Sequence, residues 1–216
     1  VPTSVKPTIS SLSASRIDGD VPSAWGIYVQ TKSKVKLTIN GAAGSYGSTI
    51  KSYSITGGGY SGSASTLTTG FLNNSGTVTF KATVTDSRGR VSAEASVSIS
   101  VTAYSPPYFN STASQRCLSS GALDDDGTYI RAVVSCGYST CGGKNTLTTS
   151  VAYKKTSDSA WTDADVAFSP DTAFTFGGGN ISTETSYDVR YTLADAFSTI
   201  SVQEIVSTAA VVMDFK

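Results

Sequence analysis

The sequence predicts an all-β protein made of two tandem antiparallel β-sandwich domains. Three observations predict this fold class: a long run in which apolar and polar residues alternate, a second copy of that pattern about one domain length further on, and a composition with 20 glycines and many serines and threonines. Alternation with a period of two gives a strand one buried and one solvent-facing side. The composition is typical of short strands joined by tight turns, and no window shows the periodicity of a capped helix.

The clearest alternation lies in Thr77–Thr102 and predicts one complete β-hairpin. The first arm places on its buried side Val78, Phe80, Ala82 and Val84. The second arm places on its buried side Val91, Ala93, Ala95, Val97, Ile99 and Val101. Two such arms are neighbours in an antiparallel sheet with one face against a core.

The turn between the arms contains Asp86, Ser87, Arg88 and Gly89. We interpret it as a structural turn, in which the Asp86 side chain accepts hydrogen bonds from turn amides and Gly89 adopts a left-handed conformation beside a bulge. The alternative is a recognition tip, because Arg88 would be exposed at the end of a hairpin.

The same pattern recurs later in the chain. Asp195 ends a second alternating strand, 109 residues after Asp86. A second match, with an offset of 97 residues, places Val35–Ile39 on Ala132–Cys136 and Ser48 on Asn145. One sandwich domain is of this size, so the pattern predicts a duplication. The difference of 12 residues predicts a longer middle section in the second copy, around Thr156–Gly179.

The domain boundaries follow from this repeat. We expect an N-terminal linker at Val1–Pro7, a first domain at Thr8–Ala103, a proline linker at Tyr104–Pro107, a second domain at Tyr108–Ala210, and the lead into a further C-terminal module at Val211–Lys216. Strands of the first domain are predicted near Thr8–Ser13, Gly26–Val29, Val35–Ile39, Ile50–Thr56, Thr77–Thr85 and Val91–Thr102. Successive prolines cannot donate to a sheet ladder and favour an extended joint.

Charge and hydropathy argue against two classes of partner. Sixteen basic residues balance sixteen acidic ones, so we expect no nucleic-acid-binding surface. The longest apolar run, Ala209–Met213, is too short for membrane insertion, and the N-terminus has no signal-peptide pattern. We expect a segment of a longer modular protein or a processed product.

Catalytic chemistry has no recognisable site in this sequence. It contains no histidine, which excludes Ser/His/Asp triads and removes the commonest general base and zinc ligand. There is no Gly-x-Ser-x-Gly segment, and no pair of carboxylates stands out as a glycosidase pair. We therefore expect no enzymatic activity and no cofactor.

One acidic cluster is a weak candidate for calcium: Asp124, Asp125 and Asp126, followed by Gly127. An EF-hand loop would need Glu at position 133 and an acid at position 122, where the sequence has valine and alanine. We therefore expect no metal and interpret the cluster as a polar turn with Gly127 in a left-handed conformation. A different type of calcium site at the end of a sandwich is the alternative.

Aromatic residues are the candidates for ligand binding, because their rings can stack on sugars. The candidates are Trp25, Tyr28, Tyr60 and Trp161, with Tyr108 at the domain joint. Aromatic residues at strand ends more often fill the edge of a core, and that interpretation stays open beside the first.

The three cysteines cannot all pair within one chain. Cys136 occupies the position of Ile39 in the first copy, which predicts a small core residue, whereas Cys117 and Cys141 are predicted in loops. We expect free thiols and folding in a reducing cytoplasm, with a Cys136–Cys141 bridge as the alternative.

Three stretches carry a resemblance to a known family: Tyr28–Val35, Gly44–Tyr53 and Val84–Arg90. They resemble the Ig-like repeats of minor tail proteins of siphophages that infect Gram-positive bacteria, in which a "VTDSRG" hairpin and a "YGSxIKSY" segment recur. The linker Ala103–Pro107 and the segment Asp126–Tyr129 fit the same pattern. The resemblance implies an all-β fold of two tandem Ig-like antiparallel β-sandwich domains, and it supplies no catalytic residue.

The resemblance also implies a function. It implies a non-enzymatic structural module of a phage tail tip or baseplate protein, made in the bacterial cytoplasm and located in the virion tail, that spaces or presents host-binding parts. Its partners would be other phage tail proteins, with host cell-wall polysaccharide and further copies of the chain as additional candidates. Two alternatives stay open: a carbohydrate-binding module that contacts cell-wall polysaccharide directly, and stalk domains of a bacterial surface adhesin.

Overall fold

The computed structural model describes residue 2 and residues 4–209. The chain divides into two compact units, Val1–Tyr104 (unit 1) and Ser105–Lys216 (unit 2). The described residues form fifteen strands, one 3₁₀ turn at Ser23–Trp25 and no α-helix, which confirms the predicted all-β class. Across that part of the chain, no helix is long and apolar enough to cross a membrane. The predicted lead into a further module, Val211–Lys216, lies outside the described residues.

Unit 1 consists of two facing sheets. Its strands are β1 (Ser11–Ile17), β2 (Tyr28–Val29), β3 (Lys34–Asn40), β4 (Ile50–Gly57), β5 (Tyr60–Gly62), β6 (Thr66–Thr68), β7 (Gly76–Asp86) and β8 (Ala95–Thr102). One sheet has the order β1-β3-β6, and the other has the order β2-β8-β7-β4-β5. The pairings are antiparallel except that of β2 with β8, which is parallel.

The two sheets of unit 1 enclose one core, because each strand turns alternate side chains toward the other sheet. Its buried residues are Leu12, Val35, Leu37, Ile39, Ile55, Leu72, Val78, Phe80, Ala82, Val84, Ile99 and Val101. Phe80 lies against the glycine-rich turn after β4. A Cβ atom at Gly57 would come within 3.0 Å of the Phe80 ring, so this position accepts only glycine.

Unit 2 has the same plan. Its strands are β9 (Tyr108–Cys117), β10 (Tyr129–Gly137), β11 (Thr148–Lys155), β12 (Thr162–Asp163), β13 (Phe174–Phe176), β14 (Tyr187–Ala194) and β15 (Thr199–Val206). One sheet has the order β13-β10-β9 and the other β12-β11-β14-β15. They enclose a core of Ile130, Ala132, Val134, Cys136, Val151, Phe168, Phe176, Ile181, Tyr187, Val189, Tyr191, Leu193 and Val206.

The strand order of the two units matches, except that β2 has no counterpart among the described strands of unit 2. β9, β10 and β13 correspond to β1, β3 and β6, and β11, β12, β14 and β15 correspond to β4, β5, β7 and β8. Two antiparallel sheets that face each other in this way form an Ig-like sandwich, and the predicted fold class is confirmed. The interval between β11 and β14, which contains Thr156–Gly179, is longer than the interval between β4 and β7.

The second arm of the predicted hairpin is wrong over its first residues. β8 begins at Ala95, whereas Val91 forms only an isolated bridge with Thr85 and is 45% exposed. Ser92 is buried instead, and its hydroxyl accepts a hydrogen bond of 3.1 Å from the Val84 N–H. The physical reason is a shift of one residue in the pairing between Ser92 and Ala95, which turns side chains to the opposite face.

The first strand is displaced from its predicted position, Thr8–Ser13. β1 pairs with β3 from Ser11 to Ile17, and Thr8 forms only an isolated bridge with Ala43. The segment is rich in serine, so its apolar residues are too few to mark where the strand begins and ends.

Candidate functional site

The turn between β7 and β8 is built around the buried carboxylate of Asp86. Its Oδ1 accepts hydrogen bonds from the backbone N–H groups of Arg88 (3.0 Å) and Arg90 (2.9 Å), and its Oδ2 pairs with the Arg90 guanidinium at 2.8 Å. Burial alone would raise the pKa of Asp86, but the bonds from Arg90, from the Ser48 hydroxyl and from Arg88 outweigh it and hold this pKa at about 2. Gly89 is left-handed, with φ 77°.

Unit 2 repeats this arrangement with different residues. Asp195 Oδ1 accepts hydrogen bonds from the N–H groups of Phe197 (2.8 Å) and Ser198 (2.9 Å), and its Oδ2 accepts one of 3.0 Å from the Asn145 amide. Asn145 aligns with Ser48 in the sequence repeat. We call these two contacts, Ser48–Asp86 and Asn145–Asp195, the turn clamps. Each joins the last tight turn of a unit to the loop before β4 or β11.

Arg88, the candidate recognition residue of the turn, is exposed but engaged. Its Nη1 donates to the Ser45 carbonyl (3.0 Å) and its Nη2 to the Tyr46 carbonyl (2.7 Å). The side chain therefore holds the loop between β3 and β4, and it does not extend freely into solvent.

The candidate aromatic residues of unit 1 lie in three places. Trp25 is half-buried in the 3₁₀ turn, Tyr28 is in β2 and Tyr60 is in β5. Because β2 and β5 are the two edges of one five-stranded sheet, Tyr28 and Tyr60 are far apart within that sheet. Both pack against the core of unit 1, and the Tyr60 hydroxyl donates to the Phe71 carbonyl. Burial raises the pKa of Tyr28, and the charge of Arg16 opposes that shift.

Two basic side chains cover Trp161 in unit 2. The Lys154 ammonium lies 5.4 Å from the ring centroid and the Arg190 guanidinium carbon lies 4.3 Å from it. Lys154 also pairs with Asp188 at 2.8 Å, which lowers the pKa of that carboxyl. Cation–π contacts of this kind use the ring face that a sugar would need.

The acidic cluster forms a local turn before β10. Asp124 Oδ1 accepts the Asp126 N–H at 2.9 Å, and the Gly127 N–H donates to the Asp124 carbonyl at 3.0 Å. The predicted left-handed conformation of Gly127 is wrong: the residue is buried against the Cys117 backbone, which leaves no space for a Cβ atom. Within residues 4–209, no group of three or more Asp, Glu, Cys or His side chains is arranged to hold a metal ion.

All three cysteines are buried and unpaired. Cys117 is wrongly predicted in a loop: it is the last residue of β9, where the alternation of a serine-rich strand gives little sign of its end. Cys136 is in β10, and Cys141 is in the loop that follows. Burial raises the pKa of each thiol, so none has the acidity of a reactive cysteine.

Unit 2 contains a buried arginine that the sequence did not indicate as a site residue. Arg116, in β9, donates to the carbonyls of Ser207 (2.8 Å), Ser182 (2.9 Å) and Thr185 (2.8 Å), with a longer contact of 3.4 Å to Gly127. Burial lowers the pKa of its guanidinium, and the nearby Tyr187 opposes the shift. Three segments of the chain thus meet on one side chain. No sequence signal could have found them, since their carbonyl groups belong to the backbone.

A second polar cluster joins the outer strands β9 and β15, which do not pair through their backbones. Glu204 accepts a hydrogen bond of 2.9 Å from Thr112 and another from Ser114, whose hydroxyl also contacts that of Tyr191. Burial raises the pKa of Tyr191, and the bond from Ser114 opposes that shift. The alternation of β15 could have indicated Glu204 as an inward-facing charge on an edge strand.

The fold and these contacts define a class: a protein of two Ig-like sandwiches whose buried polar side chains fasten turns and sheet edges. More particularly, the chain belongs to a family of siphovirus proteins, since residues 1–216 match the family described as "Siphovirus protein of unknown function (DUF859)". No curated protein sequence matches the chain.

Solved structures similar to this chain include two multidomain proteins. The FN1–FN3 domains of chicken CNTN1 match with 12% identity and a TM-score of 0.43, over 94% of this chain and 67% of that one. Three N-terminal domains of the Highly Immunogenic Outer Capsid protein (Hoc) of bacteriophage RB49 match with 13% identity and a TM-score of 0.43, over 93% and 70%. At this TM-score, neither likeness carries an argument about function.

Proposed function

We propose that this siphovirus protein is a non-enzymatic structural module of a tail tip or baseplate protein, where it spaces or presents parts that bind the host. The observation that carries the proposal is the use of its buried polar groups. Asp86 is hydrogen-bonded to the backbone of its own turn, Asn145 joins the loop before β11 to Asp195, and Arg116 joins β9 to carbonyl groups of two loops. Such contacts rigidify a scaffold.

A catalytic group needs a reactive atom that can meet a substrate, with a pKa suited to proton transfer. Asp86 is fully buried and its pKa is about 2, so the carboxylate cannot act as a general base near neutral pH. The cysteine thiols are buried and their pKa values are raised. These properties suit a structural component of the phage particle better than an enzyme.

The family supports a phage protein over the stalk of a bacterial adhesin. The tail position follows from the sequence resemblance to minor tail proteins and is part of the proposal. A pair of sandwiches suits it because every pairing of the described strands lies within a single unit.

Immunogold electron microscopy of purified virions tests the location. Antibodies against the 216-residue chain should label the end of the tail distal to the capsid, and prior incubation with the free chain should remove the label. A label on capsids, or virions that contain no such protein on an immunoblot, would show that the proposal is wrong. An antibody against the major capsid protein is the matched control.

A further inference from the structure

The loop between β3 and β4 in unit 1 contains a turn with an unusual residue. The Ser48 N–H donates to the Ser45 carbonyl at 3.2 Å, and the two central residues, Tyr46 and Gly47, have φ values of 51° and 75°. Two successive left-handed residues characterise a type I′ turn, whose favoured residues are asparagine, aspartate and glycine. Tyrosine is not among them, because its Cβ atom crowds the backbone in this region.

Packing does not compensate for the strain at Tyr46. Its side chain is 75% exposed, the highest value among the exposed large apolar side chains of the described residues. A residue that is both strained and solvent-exposed contributes little to folding stability. Such a departure from local preference is expected where a residue is kept for function.

The backbone beneath the ring is fixed from several sides. Arg88 donates to the carbonyls of Ser45 and Tyr46, at 3.0 and 2.7 Å. The Ser45 N–H donates to the Ser48 hydroxyl at 3.0 Å, and the Ser45 hydroxyl donates to the Lys6 carbonyl at 2.7 Å. The ring is therefore presented on a preorganised turn, which reduces the ordering cost of binding.

We propose that Tyr46 is a stacking platform for a sugar ring of a polysaccharide. The negative face of an aromatic ring attracts the polarised C–H groups on the face of a pyranose. The exposed residues beside it also suit a sugar, because Thr49 and Ser87 carry hydroxyl groups and are joined by a hydrogen bond from the Thr49 N–H to the Ser87 hydroxyl. The neighbouring Gly47 leaves open space, since a Cβ atom there would meet nothing within 4 Å.

A protein partner fits this tip less well. Specific protein interfaces bury about 1,200–2,000 Å² in total and have an apolar centre. The turn offers one aromatic ring among serine and glycine residues. The inference goes beyond the proposed function, because sugar binding by the isolated chain does not depend on where the protein lies in the virion.

The test is a sedimentation assay of the 216-residue chain with isolated cell walls of the propagating host, stripped of protein by protease. Half of the walls are oxidised with periodate, which cleaves sugar diols. We expect the wild type to bind, periodate to abolish binding, Tyr46→Asn to reduce the bound fraction at least tenfold, and Tyr46→Trp to retain it. Ile205→Ala removes another large exposed side chain, which is 65% exposed, and should bind like the wild type.

Thermal melting separates loss of the site from loss of the fold. Asparagine tolerates the left-handed region, so Tyr46→Asn should melt at or above the temperature of the wild type. The proposal is overturned if the wild type does not bind walls, if binding survives periodate, or if Tyr46→Asn binds normally. A lower melting temperature for Tyr46→Asn would show that the ring stabilises the fold, and this result would also overturn the proposal because the tyrosine would then have a structural reason.

Discussion

Replacement of Arg116 by methionine should destabilise unit 2 selectively. The guanidinium is buried in β9 and donates to three carbonyls in two loops, at Ser182, Thr185 and Ser207. Methionine has a similar length and can fill the space, but it donates no hydrogen bond. The change therefore leaves these carbonyl groups without their donor while it preserves most of the packing.

Two opposing contributions set the size of this loss of stability. Each short bond from a charged donor contributes about 1.5–3 kcal/mol, and three of the four bonds are 2.8–2.9 Å long. Removal of a buried charge also recovers its dehydration cost, which is several kcal/mol. Because the three carbonyls lie in loops and can partly rehydrate, we expect a net loss of about 2–4 kcal/mol in the free energy of unfolding.

The two tryptophans allow this loss to be assigned to one unit, since Trp25 lies in unit 1 and Trp161 in unit 2. In a Trp25→Phe background, urea unfolding followed by Trp161 fluorescence reports unit 2. The midpoint should fall by about 1–3 M urea, because a domain of this size has a slope of about 1–3 kcal/mol per M. Arg131→Met, which removes a half-buried arginine from the adjacent strand β10, should shift it much less. A shift below about 0.5 kcal/mol for Arg116→Met would contradict the reasoning, because dehydration would then cancel the bonds.

Three further predictions concern other groups. Val84→Asp should unfold unit 1, because Val84 is 1% exposed and the charge would be buried unpaired, whereas Val91→Asp should be tolerated at 45% exposure; equal melting curves would contradict the assigned faces. The pKa of Asp86 falls to about 2 in the folded state, so ionised Asp86 should contribute fully to the stability of unit 1 above the unfolded pKa of about 3.9, and this contribution should decline as the pH falls toward 2. Asp86→Asn should flatten this pH dependence, which Trp25 fluorescence measures in a Trp161→Phe background; an unchanged pH dependence would contradict the prediction. A thiol reagent should label the native chain slowly and should label all three cysteines after denaturation; fast labelling of the native chain would show that burial does not protect Cys117, Cys136 and Cys141. Neither EDTA nor dithiothreitol should shift the melting temperature.

The strands were predictable wherever a strict alternation faced one core. The buried side of β7, from Val78 to Val84, follows directly from the sequence pattern. The pattern failed at Val91, because a one-residue shift in pairing is invisible in a sequence that continues to alternate. It also failed at the ends of β1 and β9, where serine-rich stretches provide few apolar markers.

The candidate sites were less predictable because they depend on contacts between distant residues. The sequence indicated Asp86 as a turn former but could not show that Arg88 reaches the loop containing Tyr46. The sequence indicated Trp161 as a ligand-binding candidate but could not show that Lys154 and Arg190 lie over its ring. A signal for Tyr46 was present in the Gly44–Gly47 segment, since a tight turn with tyrosine beside glycine departs from the usual preference.

The turn clamps have a consequence for how the two copies could diverge in length. Ser48 and Asn145 lie just before β4 and β11, and Asp86 and Asp195 lie at the ends of the partner strands β7 and β14. Each clamp therefore fixes the pairing register at one end of a strand pair. The opposite end of that pair can then acquire residues without misaligning the strands. This explains how the second copy accommodates about a dozen additional residues between β11 and β14 and still forms the same sandwich.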